Sequence, residues 1–560
     1  MTNAPAVRHS RKKIALTMIA AAVLAGCAVT PPAALTQQEL VLQNQTDRQA
    51  MFAAQEPIAQ PLTLDQAIAR AVKYNLQQRL ALMERALEED LVEVQNQGML
   101  PKLTARAGLR TRNNDSASSS ESIRTHSQSL EPSTSQERNG HTADLQLSWN
   151  VLDFGLSYFG AKAQGNKVLA AEERRRRVVA DIIRQTRTAY WNAVTAERLK
   201  ERVAQTLGQT QQALDVARQT EQRRLISPLA ALRYQRDLLS MARQLEALNS
   251  DLMLAKSRLS ALMNLAPDTP FQLADAGASL SVPSLPYQRA DLESLSMINR
   301  PELREEGYLA RNAVLETRMS LLRLLPNAAL FSGLNYDSNK YAVNNSWADA
   351  GVQVSWNLLS VLSWSAVERS GKSREQLAEM RRQALRMTVL TQVNVAWLER
   401  QRAETAFQQA SELSRLQDAI QRQTENAVKS SAETPLELVR ARVETLLSEH
   451  ARDVSYAELL NAQSTVYQAA GIDAMPERIA DTSVASLAQG IAQTNLLIEQ
   501  GKIEIPRFDT VMVASALPQS DSVTAAAVVP AAPLSLRKIA GSPWSSLGSV
   551  MSQAADDHAK

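Results

Sequence analysis

The sequence predicts a mainly α-helical protein that also carries a small β-sheet of the kind from which a membrane barrel is built. Three observations lead there. The chain is written twice, its helical stretches are too long to wrap a compact core, and its short strands alternate apolar with polar residues. Export comes first, because it fixes the compartment.

Residues 1–26 have the layout of an export signal. Arg8, Arg11, Lys12 and Lys13 precede an apolar stretch, residues 14–25, too short for a bilayer core of about 30 Å. It ends in Leu24-Ala25-Gly26-Cys27, which matches the bacterial lipobox, where cleavage precedes the cysteine and its thiol is acylated (as by palmitate). An ordinary signal with an incidental cysteine is the alternative. Against it, Cys27 stands where cleavage is expected and is the only cysteine of 560 residues. No internal disulfide is then available, so stability must come from packing or assembly. The covalent lipid on Cys27 is the only non-protein group expected; no cofactor or metal is. Ala28 is not the aspartate that retains many lipoproteins in the inner membrane, which favours the outer membrane. Formal net charge is +3, from 61 basic and 58 acidic residues, and nothing suggests a nucleic-acid partner. After the signal no stretch reaches the roughly 18 apolar residues of a membrane helix, so any crossing must use strands.

The duplication is the strongest organising feature. Leu147-Ser148-Trp149-Asn150-Val151-Leu152 recurs as Val354-Ser355-Trp356-Asn357-Leu358-Leu359, an offset of 207. Ser227-Pro228-Leu229 and Thr434-Pro435-Leu436, and Met263-Asn264-Leu265 and Ala470-Gly471-Ile472, keep that offset. Leu100-Pro101 and Leu325-Pro326, with Gly108-Leu109 and Gly333-Leu334, stand 225 apart. The excess of 18 is a longer first loop, about residues 113–141, rich in Ser, Asn and Thr and expected to be flexible. The chain therefore divides into a signal (1–26), a lipid-anchored segment (27–61), a first repeat (62–265), a linker (266–289), a second repeat (290–472) and a partly disordered C-terminal extension (473–560). Within that extension, residues 515–560 read as a weakly ordered tail.

A helix is expected from Thr63 or Asp65, either of which can cap it, to about Gln97. A second, from about residue 157 to 225, contains no proline and repeats from about 362 to 429; Pro228 and Pro435 open further helical stretches to about Leu265 and Ala470. The second would be about 100 Å long at 1.5 Å per residue. Such helices must pack along neighbours as coiled coils. A coiled-coil spacer is the bland reading, and the export signal and strands argue against it.

Four strands are expected. Leu103, Ala105, Ala107 and Leu109 oppose Thr104, Arg106, Gly108 and Arg110; Ala143, Leu145, Leu147, Trp149 and Val151 oppose Asp144, Gln146, Ser148 and Asn150. Ala348, Ala350, Val352, Val354 and Trp356 oppose Asp349, Gly351, Gln353 and Ser355, while the third strand, about 328–337, alternates less cleanly. A water-filled barrel needs runs of about 10 residues, apolar outward and polar inward. A half-buried soluble sheet gives the same alternation; the signal and long helices favour the barrel. Trp149 and Trp356 stand at matching strand ends, where aromatic rings suit a lipid–water interface. Four strands cannot close a pore, so the chain must oligomerise.

Strand pairs inserted between long helices, duplicated in tandem, resemble the TolC family of outer-membrane efflux proteins over about residues 62–472. The resemblance rests on Leu62-Thr63-Leu64-Asp65-Gln66-Ala67, both Leu-Pro strand entries, both Ser-Trp-Asn segments, Ala189-Tyr190-Trp191 and Ala396-Trp397. It implies a homotrimer in which four strands per subunit build one 12-strand barrel above a periplasmic α-barrel of coiled helices. It also implies a periplasmic adaptor and an inner-membrane pump as partners at the helical tip, and the lipoprotein branch resembles the channels of proton-driven drug efflux. Polar strand residues Asp144, Gln146, Asp349 and Gln353 would line the pore. At the tip, aligning Thr434-Pro435-Leu436 with the family puts Glu437 at a gate position; a solvated helix charge is the alternative. Here the chain departs from the pattern: copy one has Ala230, and Arg440 stands where some members carry Asp. A less acidic gate, or a Glu437–Arg440 pair, is the expectation.

Other motifs point elsewhere or nowhere. The arginines of residues 174–177 read as a solvated helix face, His126 and His141 lack metal-site spacing, and no catalytic constellation is present. The expected function is a passive exit duct for small molecules, not an enzyme. Protein or peptide secretion, a pore-free lipid-anchored scaffold, and a surface-binding role for the Ser-rich loop are the alternatives.

Overall fold

A computed structural model describes residues 33–53, 55–58, 61–223, 227–267, 269–274, 280–473, 475 and 483–503. The export signal, Cys27, the three residues 224–226 at the first tip and the tail 515–560 lie outside them. Helix α1 (Gln37–Phe52) precedes the first repeat, which consists of α2 (Leu64–Tyr74), α3 (Leu76–Gln97), β1 (Lys102–Thr111), the short β2 (Ala117–Ser118) and β3 (Ser133–Thr134), β4 (Asn139–Asn150), α4 (Val151–Gln222) and α5 (Pro228–Leu262). The second repeat consists of α6 (Arg289–Asn299), α7 (Pro301–Leu322), β5 (Asn327–Asp337), β6 (Ser346–Ser355), a 3₁₀ segment (Leu358–Ser363), α8 (Trp364–Lys429) and α9 (Pro435–Ala469). Helix α10 (Val484–Glu499) follows, inside the expected C-terminal extension.

The expected first helix is interrupted. Asn75 is extended (φ −61°, ψ 129°), and its side-chain oxygen accepts from the Gln77 N–H at 2.9 Å. A short amide that caps the next helix competes with the helical backbone bond, and the helix breaks. Copy two breaks at the equivalent Arg300, because Pro301 disfavours helical geometry in the residue before it. Asn75 donates to the Leu262 carbonyl at 3.2 Å and Arg300 to that of Gln468 at 3.3 Å. Thus α3 meets the end of α5, and α7 that of α9, alongside the unbroken α4 and α8. The 72 residues of α4 span about 108 Å. Laterally the order is α3 with α5, then α4, then α7 with α9, then α8.

The apolar core is densest at these breaks. Tyr190 is fully buried and donates to the Leu62 carbonyl at 2.9 Å, among Leu259, Met263 and Ala193. Trp191 meets Tyr456 edge-on at 5.2 Å between centroids, joining the copies. Val393, Ala396 and Val466 form the corresponding core of copy two with Leu292 and Leu295. The linker takes part as well, since Leu273 pairs with Leu62 and the Leu62 N–H donates to the Gln272 carbonyl at 2.7 Å. Helix α10 packs Leu487 and Ile491 on Ile68 and Val72 of α2.

Each short lower helix ends the same way. Asn264 (φ 54°) and Gly471 (φ 72°) are left-handed, and Leu265 and Ile472 donate back to Ser260 and Tyr467 at 2.9 Å, the bonding of a Schellman cap. Gly471 has a second reason to be glycine: a Cβ there would stand 2.6 Å from the Asn299 carbonyl carbon. Gly471→Ala is expected to cost at least about 1–2 kcal/mol for the left-handed conformation alone, lowering the thermal midpoint. Gly307→Ala, at an open position inside α7, is expected to be neutral or to gain up to about 1 kcal/mol.

Glu56 fastens the N-terminal segment to both α2 and α10. Lys73 at 2.6 Å holds its carboxyl below the ordinary range; burial opposes this, and the Val484 N–H and Tyr74 hydroxyl add to the lowering. Because the folded value is depressed, this stabilisation is complete above about 4.5 and is lost as pH falls through the lower folded value. Limited proteolysis around residues 483–503 should therefore accelerate on acidification, and Glu56→Gln should show the same acceleration already at neutral pH.

Candidate pore surfaces

The four long strands form one antiparallel sheet in the order β1-β4-β5-β6. Its register decides which side chains share a face. Asp144 stands opposite Arg106 and Asn335, and Gln146 opposite Thr104 and Gly333. Asp349 stands opposite Gly333 and Gln353 opposite Ala329. Alternation then puts Asp144, Gln146, Asp349 and Gln353 on one face, as expected from the sequence. Asn335 donates to Asp349 at 3.1 Å, and a Cβ on Gly333 would meet that carboxylate at 2.8 Å. The same face carries two aromatics that the alternation alone does not place there. Phe331 lies over Gly351, where a Cβ would meet its ring at 2.7 Å, and Trp347 stands opposite Asn335. Phe331 and Ala329 on this face, and Ser332 on the other, are why the third strand alternates poorly.

The opposite face carries Leu103, Leu145, Leu147, Leu330, Leu334, Val352 and Val354, all exposed. The two matching tryptophans share one bond: Trp149 Nε1 donates to the Met99 carbonyl at 3.1 Å, and Trp356 Nε1 to that of Leu324 at 3.0 Å. Each carbonyl belongs to the residue before a Leu-Pro entry, so the ring fixes the end of one strand to the start of its neighbour.

Both edges of the subunit are unfinished. Among the described residues, β1 and β6 each have one strand edge without a partner. Helix α3, leading into β1, exposes Leu76, Leu80, Met83 and Leu87; α8, following β6, exposes Leu377, Met380, Met387 and Leu398. The α3 positions follow three- and four-residue spacing and those of α8 fall at wider steps that stay on one helix face, the signature of a coiled-coil seam.

At the tip, Ser227 and Thr434 cap α5 and α9 through the Ala230 and Glu437 N–H groups, both at 3.4 Å. Arg440 Nη1 donates to both oxygens of Glu437 at 2.9 and 3.2 Å, the pairing the sequence suggested. Its other terminal nitrogen lies 3.6 Å from Asp237 on α5. Arg440 therefore joins the two copies, and Asp237 is a member of this cluster that sequence spacing alone does not reveal.

No family model matches the chain, and no curated protein matches it. Solved structures do. The Campylobacter jejuni CmeC outer membrane channel superposes with a TM-score of 0.57 at 13% identity, covering 85% of this chain and 98% of its own. For the Neisseria gonorrhoeae MtrE outer membrane channel the values are 0.55 and 17%, with 73% and 89% coverage. For the outer membrane protein VceC of Vibrio cholerae they are 0.52 and 15%, with 73% and 96% coverage. The chain has the fold of outer-membrane channels.

Within this channel fold the arginine run is not the solvated face expected. Glu305 of α7 takes Arg174 at 2.5 Å and Arg177 at 3.4 Å; Arg176 reaches Glu173 and Asp473, and Arg304 reaches Glu173 at 2.9 Å. Burial pushes the Glu173 carboxyl up against the pull of Arg176 and Arg304. Arg174 and Arg177 form a charged seam between α4 and α7, and local spacing cannot reveal a partner as distant as Glu305, whereas Arg175 and Arg176 also pair locally with Glu172 and Glu173. The Ser-rich loop makes contacts of its own: β2 pairs with β3, Arg138 clasps Asp115 at 2.6 Å, and Asn339 of the second hairpin donates to the Ser135 carbonyl at 2.8 Å. Among the described residues no cluster of three or more His, Cys, Asp or Glu is placed to hold a metal.

Because Arg174 is partly exposed, a double-mutant cycle between Arg174→Ala and Glu305→Ala is expected to give a coupling of only about 0.5–1 kcal/mol, measured by denaturant unfolding and reduced by added salt.

Proposed function

We propose that three copies of this chain form an outer-membrane exit duct, lipid-anchored at Cys27, that passively passes small molecules from a periplasmic adaptor and inner-membrane pump to the outside. The observation that carries this reading is the pair of unfinished edges. A four-stranded sheet in lipid leaves backbone groups unsatisfied. Transmembrane barrels begin at about eight strands. Two different edges on one subunit join head to tail, and such contacts close into rings. Three copies bring twelve strands, with the seams of α3 and α8 meeting below them. The channel fold supports the same assembly.

In that ring the face with Asp144, Gln146, Asp349 and Gln353 turns inward and keeps the barrel wet, while the leucine and valine face meets lipid. The tip cluster of Glu437, Arg440 and Asp237 would narrow the periplasmic entrance, and rings of charge select among ions. A passive pore has no way to couple energy, so the pump must supply it. The signal, anchor segment and two repeats keep the boundaries given above.

Crosslinking in cells, followed by identification of what co-purifies, tests the partners. An adaptor with a proton-driven transporter supports small-molecule efflux. An adaptor with an ATP-driven transporter replaces that cargo with protein or peptide, and recovery of neither favours a lipid-anchored scaffold. In planar bilayers the purified trimer should conduct. Glu437→Ala should lower cation preference and Arg440→Ala raise it; unchanged reversal potentials in both variants would remove the gate.

A further inference from the structure

The 3₁₀ segment Leu358–Ser363 is a place where the two repeats differ in chemistry. At the offset of 207, its counterpart is the first turn of α4, where Asp153 faces Lys102 at 3.5 Å. In copy two Ser360 replaces that aspartate, and residues 350–367 contain no charged side chain at all. The local sequence reads Leu-Leu-Ser-Val-Leu-Ser, a period of three. A 3₁₀ helix has three residues per turn, so positions i and i+3 eclipse. Ser360 and Ser363 therefore form one column, and the Ser360 hydroxyl turns it towards the protein by donating to the Leu324 and Asn357 carbonyls at 3.2 and 2.6 Å. The other two columns are Leu358 with Val361 and Leu359 with Leu362. They project outward, with Leu359 73% and Leu362 79% exposed.

We infer that these two apolar columns dock into the lipid–water boundary of the periplasmic leaflet, as a monolayer-binding element separate from the barrel wall. The assignment rests on the outer-membrane reading above. Three observations favour a phospholipid monolayer as the occupant. The segment follows directly on the exposed apolar residues Val352 and Val354 of β6. Trp356 and Trp364, both partly exposed, bracket it, and indole rings prefer that boundary. Charge returns only at Glu368 and Arg369, one turn into α8, where the chain re-enters water. An apolar helical face lying in the interface needs no spanning length.

The test uses the full-length, assembled protein in nanodiscs, with the Cys27 thiol blocked by its acyl chain. A bimane label is placed by Val352→Cys on the barrel wall, by Leu362→Cys on the segment, and by Glu368→Cys beyond it. Brominated phosphatidylcholine should remove most of the emission at 352 and at 362 and leave 368 unchanged. Quenching at 352 without quenching at 362 overturns the inference and leaves the barrel reading intact. A blue-shifted but unquenched label at 362, the sign of burial against a neighbouring subunit, overturns it as well. Absence of quenching at all three positions overturns the barrel reading, and this inference with it.

Discussion

In the proposed membrane setting, backbone hydrogen bonding without water is the constraint on which the rest of this structure depends. Among the described residues, the β1-β4-β5-β6 sheet pairs its own interior strands and leaves a row of amides and carbonyls open at each side. In water such edges are a hazard; in lipid they are untenable. The helices continue the same logic. The exposed leucine and methionine stripes of α3 and α8 lie at the two lateral ends of the helical layer, on the elements adjoining β1 and β6. Sheet and helices are thus incomplete at the same two borders, and one assembly step can satisfy both.

The duplication is held by repeated local devices more than by repeated composition. A tryptophan bonded to the carbonyl before a Leu-Pro entry, a hydroxyl cap at the lower turn and a left-handed residue closing the lower helix all recur. Where the copies diverge, chemistry has changed at the surface: Asp153 to Ser360, Ala230 to Glu437, and a long strapped loop against a short one.

Elements governed by periodicity are readable in the residues. The strand alternation locates three of the four long strands, the repeat offset of 225 the remaining one, and the proline-free stretches locate α4 and α8. The break at Asn75 is not readable, since Asn is tolerated within a helix and only its bond to the distant Leu262 carbonyl makes the interruption useful. The partner of Arg174 and Arg177 escapes for the same reason: Glu305 is brought to them by helix packing. At the tip, the Glu437–Arg440 pair is legible from its spacing, whereas Asp237 belongs to the other copy. Phe331 and Trp347 escape on the polar face because one aromatic there is accommodated by Gly351 across the strands. The edge seams leave a signal that counting three- and four-residue spacing on α3 would find.

The offset of 207 has a geometric consequence for anything that docks at the tip. In the proposed ring of three, two near-equivalent copies per subunit give a pseudo-sixfold outline, so a six-part collar would meet six similar helix pairs. Their chemistry alternates, however, because Glu437 has Ala230 as its counterpart. Such a collar would read the rim as two interleaved sets of three, one carrying the Glu437–Arg440 pair and one with Ala230 at the matching position, and its own subunits would be divided into two classes by the channel they hold.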